Sequence, residues 1–286
     1  MKKIKTGSYL IFAIGILNLG NTNLQAQENK DFRTFQKEIV EAKKTGNTKL
    51  ADSLAQVYME QYLFKLRDKA LFTKDNLTFM SQNLKDTESK AFKLFLKDPE
   101  KVNVVLGKDR AQYALRDAIS KNYFQGVDPI KKPNFDWTIL KKTLRSKFGE
   151  IGLETMYSKQ MIYYLEGKDW DRFGKCYVLY FNIALKRPEF NINDVTWELF
   201  ENVNDIEVLS FACDVVMKYA MEEWYQADFN AFDTYANLLY KIGRREQAIE
   251  WEERAVRLSN QGEIFVKTLT KMKNNQATWA GDTAKP

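Results

Sequence analysis

The side chain most often recruited for acid–base chemistry is missing, because the 286-residue chain contains no histidine. Without imidazole there is no Ser-His-Asp or Cys-His nucleophile, no His-based zinc site, and no group whose unperturbed pKa lies near neutrality. Thiols and carboxylates are what remain. Cys176 and Cys213 are the two cysteines and fall one repeat apart, on what read as successive second helices. Neighbouring helix axes lie about 8 to 10 Å apart, wider than a disulfide prefers, so two buried, unlinked thiols are expected, with a bridge as the alternative in an oxidising compartment. Glu222-Glu223, Glu252-Glu253 and the nearby Asp169 and Asp171 could suggest an acid and a base. Adjacent residues on a helix diverge, however, while Glu250 with Arg254 and Glu253 with Arg257 have the i, i+4 order of a salt-linked surface. The carboxylates are therefore read as structural, and no catalytic residue, metal ligand or cofactor is assigned.

Two further groups invite a functional reading. Lys131, Lys132, Lys141, Lys142, Arg145 and Lys147 form the one marked positive cluster. It could dock an acidic partner, lipid headgroups or nucleic acid, but a solvated helix face is the simpler account. Tyr163, Tyr164, Tyr177, Tyr180 and Phe181 are read as core and not as a ligand platform.

The elements that hold these residues are expected to be helices. Proline is scarce at 5 and glycine at 13, whereas aromatic residues reach 14% within a hydrophobic share of 44%. That balance favours long helices stacked through bulky side chains over a turn-rich sandwich. Phe32, Phe35, Ile39 and Ala42 recur at helical spacing, Gly46-Asn47 interrupts, and Leu50, Leu54, Val57 and Tyr58 resume, which describes a hairpin. Shorter helices are expected over Thr73 to Leu84 and over Asp86 to Leu96, the latter capped by Asp86. Asp109 to Tyr123 reads as another, with Tyr113, Ala114, Ala118 and Ile119 near one face. The stretch Gly126 to Pro133 is the best internal boundary. Beyond it come a basic helix, Trp137 to Phe148, and a helix from Leu153 to Glu166 closed by Gly167. Phe173, Cys176, Tyr177, Tyr180, Phe181 and Ala184 then mark a wide apolar face. Asp194 to Val203 and Asp205 to Glu222 form a second pair, with a capping box at Asn204-Asp205-Ile206-Glu207. Phe229 to Ile242 and Arg244 to Leu258 form a third.

The amino terminus reads as an export leader. Lys2, Lys3 and Lys5 precede an apolar run from Tyr9 to Leu19, too short to span a bilayer, and Leu24-Gln25-Ala26 resembles a cleavage site, placing the mature start at Gln27. No later stretch is apolar enough for a transmembrane helix, so the product is expected to be periplasmic or secreted. Without the leader the chain holds 41 basic and 38 acidic residues, and the balance is uneven: residues 27–150 carry 25 basic and 17 acidic, residues 151–286 carry 16 and 21. The two halves are expected to differ in surface.

In the third pair Phe232, Tyr235, Ala236, Leu239, Gly243, Ala248 and Ala255 fall where a tetratricopeptide repeat places its large, small and glycine positions. Gly243 can take the left-handed conformation that ends a helix, and the alanines let paired helices approach closely. Glu252 stands where an aromatic is usual, with Trp251 beside it to fill that space. Tyr235 lies 38 residues after Trp197, so the spacing slightly exceeds the usual repeat of about 34. Residues 153–260 thus look like three hairpins. The stretch from Val195 to Leu258, above all Asp233-Thr234-Tyr235-Ala236-Asn237-Leu238-Leu239-Tyr240-Lys241-Ile242-Gly243-Arg244, also resembles the helical carboxyl half of exported thioredoxin-family proteins. In those a Cys-x-x-Cys domain precedes the repeats. Here that motif is absent, so the resemblance implies an accessory or scaffolding part and no oxidoreductase.

The expected organisation is a leader (1–26), an N-terminal helical region (27–130), tetratricopeptide-like repeats forming an all-α solenoid (131–275) and a flexible tail (276–286). First helices of such arrays line a groove whose exposed side chains are not needed for stacking. In the best repeat Asn230, Asp233, Asn237, Tyr240 and Lys241 would face it, polar enough for peptide recognition. The expected function is a non-catalytic binding or scaffold protein of the cell envelope, its partner a protein or peptide and not nucleic acid. Alternatives are an accessory to a separate thioredoxin-fold protein and, lower, a hydrolase using carboxylates alone.

Overall fold

The computed structural model describes residues 32–128 and 135–279. The leader and its cleavage point, Lys131, Lys132, the tail from residue 280 onward and the side chain of Phe32 lie outside the described residues. Every regular element among the described residues is helical, and no strand occurs. The protein is all-α. It divides into two compact units, 1–118 and 119–286, and the division falls inside the helix Arg110–Tyr123, upstream of the Gly126 to Pro133 stretch.

The first unit opens with a hairpin, α1 (Phe32–Lys44) and α2 (Thr48–Gln61). Gly46 takes φ of 74° in the turn, and Asn47 caps α2 by accepting from the Leu50 amide at 3.2 Å. Phe35, Ile39 and Ala42 are buried against Ala51, Leu54 and Tyr58, whereas Leu50, expected inside, is 47% exposed. Small Ala51 and Ala55 occupy the inner face instead and let the two helices close up. Four short helices follow: α3 (Asp68–Leu71), α4 (Lys74–Gln82), α5 (Lys90–Lys97) and α6 (Pro99–Leu106). The helix expected from Asp86 begins four residues later, because Ser89 is the cap that accepts from the Phe92 amide, while Asp86 accepts from the Glu88 amide in the preceding turn. Helix α7 (Arg110–Tyr123) is anchored from α6, where buried Asn103 accepts from the Ala111 amide at 2.9 Å. Its inner face carries Ala111, Leu115, Ala118 and Ile119, and Tyr113 points outward.

The second unit starts with α8 (Trp137–Glu166), broken at Gly149 with φ 62° and ψ −133°. The break turns the chain back on itself, so that Trp137 at the start packs edge-on against Tyr163 near the end at 5.2 Å. Two helices were expected here, and the break is where they part. Gly167 is right-handed; Lys168 takes the positive φ that closes the helix. In α9 (Trp170–Ala184) the six residues expected to make a wide apolar face are all buried. Each large side chain so removed from water contributes roughly 1.5–3 kcal/mol. Next come α10 (Ile192–Asn202) and one long helix over 206–223, made of α11 (Ile206–Phe211), a π-helical turn (Ala212–Met217) and α12 (Lys218–Glu223). Asp205, and not Asn204, is its cap, accepting from the Glu207 and Val208 amides.

Helices α13 (Phe229–Lys241) and α14 (Arg245–Leu258) pack against each other as a hairpin, and α15 (Glu263–Lys273) lies against α14. Gly243 has φ of 86°, as its place between the two helices requires. Trp251 fills the aromatic position, packing edge-on against Phe232 at 5.1 Å and Tyr235 at 5.3 Å. No helix among the described residues is long and apolar enough to cross a membrane.

Candidate functional site

The first turns of α10 and α13 bring polar side chains to a common opening. Asn191 caps α10, and on that helix Asp194, Trp197 and Glu198 follow at the i, i+3, i+4 spacing that places them on one face. Asp228 caps α13 through the Asn230 and Ala231 amides, and Asn230, Asp233 and Thr234 share a face in the same way. Asn193 of α10, Ile264 and Phe265 of α15 and Tyr225 of the loop before α13 complete the wall. The Tyr225 hydroxyl donates to Asn191 Oδ1 at 2.9 Å, which fixes the loop against α10. Together these residues line an open cleft of about 510 Å³.

Its chemistry is one-sided. Four carboxylates, Asp194, Glu198, Asp228 and Asp233, line it, and no lysine or arginine does. None of the four forms an ion pair among the described residues. No group of three or more such side chains that could hold a metal ion occurs among the described residues.

Asp233 is 7% exposed and accepts from the Asn237 amide at 3.0 Å. Behind it, within hydrogen-bonding reach, lies Glu252 of α14, fully buried, with neither oxygen receiving a donor. Burial pushes both carboxyls above the usual carboxylate range, and the charge of Asp233 raises Glu252 further. Two carboxyls this close in an apolar hairpin share a proton, with Glu252 the group that keeps it.

The five residues expected to face a groove divide. Asn230 is exposed at the cleft and Asp233 forms its floor. Asn237 is 1% exposed and turns inward to Asp233, since an amide there satisfies a buried carboxylate. Tyr240 and Lys241 sit further along α13 beneath the chain's own Trp279, which packs edge-on near Phe200 and Tyr240. The Lys241 ammonium donates to the Phe200 carbonyl at 2.5 Å and stands 5.4 Å from the centres of both the Phe200 and Trp279 rings. Residues 276–279, expected in a flexible tail, thus end in a packed tryptophan. Asp194, Trp197, Glu198, Tyr225 and Phe265 were not expected to face a groove, although the i, i+3, i+4 run on α10 repeats the logic that found Asn230 and Asp233.

The chain matches no family model, no curated protein and no solved structure.

Elsewhere the candidates have structural partners. Cys176 and Cys213 are free and buried, and burial pushes each thiol up to about 12, far from the thiolate needed for exchange chemistry. Asp169 caps α9 and pairs with Arg172, Asp171 pairs with Lys175, and Glu253 with Lys273. Glu222 and Glu223 are exposed. Lys141 lies over the Tyr157 ring, whereas Lys142 and Arg145 are exposed on α8. Tyr163, Tyr164, Tyr177, Tyr180 and Phe181 are all buried.

Proposed function

We propose that the protein is an exported, non-catalytic binding protein of the cell envelope, its second unit a stack of tetratricopeptide-like hairpins that holds a segment of another protein in the cleft between α10, α13 and α15. The open cleft carries the reading. It is walled by polar and aromatic side chains, with Asp194 and Asn230 exposed to solvent, as expected of a recognition surface. Trp279, held on the same two helices, illustrates that their surface accepts a large side chain from a non-helical segment.

Crosslinking in the native envelope followed by mass spectrometry tests this. The expected product is a discrete partner joined to residues at the cleft, and its yield falls when Trp197 and Asn230 are replaced by alanine. Recovery of the same products from the doubly substituted protein and the wild type would remove the cleft from the function.

A further inference from the structure

Resting on that reading of the cleft, we infer that the segment it receives is basic: a lysine ammonium or arginine guanidinium of the partner enters among the Asp194, Glu198 and Asp233 carboxylates, beside the Trp197 and Phe265 rings. The charge balance is the first argument. Four carboxylates line the cleft with no cation among its lining residues, and none of them has an ion-pair partner among the described residues. Residues 151–286 carry 16 basic and 21 acidic residues, so the surrounding field also draws positive charge.

The second argument is independent of the exposed acids. Glu252 is 0% exposed, neither of its oxygens has a donor, and it is aimed from behind at the Asp233 carboxyl that floors the cleft. Asn193, also in the lining, has a buried side-chain oxygen with no donor. Buried acceptors in folded proteins are matched by donors, and buried carboxyls by cations. Here the Asp233 carboxylate, 7% exposed, has the Asn237 amide and the Glu252 carboxyl as donors but no cation beside it among the described residues. A ligand that is all donor supplies what is short: an ammonium brings three N–H groups and no acceptor, a guanidinium five. Aromatic rings in the wall favour the same ligand, since a cation is attracted to the face of indole or phenyl. Lys241, the nearest cation on α13, is committed to the Phe200 carbonyl and cannot take this role.

Fluorescein-labelled pentalysine, followed by anisotropy at about 50 mM salt, where surface charges are weakly screened, is the test. Saturable binding is expected, weakened at least about tenfold by the double substitution Asp194→Asn with Glu198→Gln and by acetylation of the lysines. Both substituted residues reach solvent at the α10 surface, so the far-ultraviolet circular dichroism of the variant should match the wild type. Equal binding of the acetylated probe, or equal affinity of the variant, overturns the inference. Native-envelope crosslinking separates the two levels of failure. A partner recovered at the cleft equally by wild type and double variant would discard the basic segment and leave the binding face standing; absence of any cleft adduct from the wild type would discard both.

Discussion

Glu252 is the residue at which local chemistry and helix packing conflict. A tetratricopeptide hairpin would fill the position with an aromatic, and Trp251 takes that role one residue earlier, leaving a carboxyl sealed against Asp233. Because burial raises both carboxyls above their unfolded-chain values, the native state holds more protons than the unfolded state above the ordinary carboxylate range. The pair's contribution to stability is therefore full at acid pH and is lost as pH rises through the native values. Glu252→Gln keeps a donor toward Asp233 but cannot titrate. Its thermal midpoint is expected to fall less than that of the wild type between about pH 5 and about pH 8, and parallel profiles would contradict the shared proton. A second buried acid behaves differently. Glu154 is 0% exposed and Arg187 meets its Oε2 through Nη2 at 2.7 Å and Nε at 3.1 Å. Arg187→Met is expected to cost about 3 kcal/mol or more in urea unfolding, and the double substitution with Glu154→Gln to recover most of it. Neither burial was legible beforehand. Period and composition place a glutamate on a helix, but only the neighbouring helix decides whether it meets water, an arginine or another acid.

At the scale of elements, apolar spacing was a good guide wherever one face is buried against one partner. The α9 stripe and the α13–α14 hairpin fall close to the ranges their periodicity set. It failed where small residues made the contact, as with Ala51 and Ala55 in place of Leu50, because hydrophobicity alone cannot say which face needs close approach. Nor could it find α15, whose buried residue is Met272 alone. The break in α8 is the most demanding local geometry. Gly149 takes a conformation that L side chains rarely adopt, and a Cβ at Gly152 would stand 2.3 Å from the Leu144 carbonyl oxygen. Gly152→Ala is expected to destabilise by about 2 kcal/mol or more, since the obstacle is backbone and cannot swing aside. A variant as stable as wild type by urea unfolding would show that the two halves of α8 cross less tightly. Further along, Asp214 in the π-helical turn and Arg244 between α13 and α14 make a two-pronged ion pair at 2.5 and 2.6 Å. Both are 42% exposed. Asp214→Asn is therefore expected to cost less than about 1 kcal/mol by the same measurement.

At the scale of the whole molecule, the sequence has no histidine, and burial pushes both thiols far above the thiolate range. What the second unit offers instead is a surface. Two of the five residues marked in the sequence meet at the cleft, because the first turns of α10 and α13 lie side by side there. The other three were out of reach of pattern reasoning: one is drawn inward by a buried carboxyl, and two are covered by a tryptophan some 40 residues further on. Photo-crosslinking residues placed one at a time at Asp194 and Asn230 in the cleft, and at exposed Leu179 and Val215 away from it, test the central claim most directly in living cells. Adducts to one discrete partner from the two cleft positions alone are the expected result; adducts from Leu179 or Val215 with none from the cleft would contradict it.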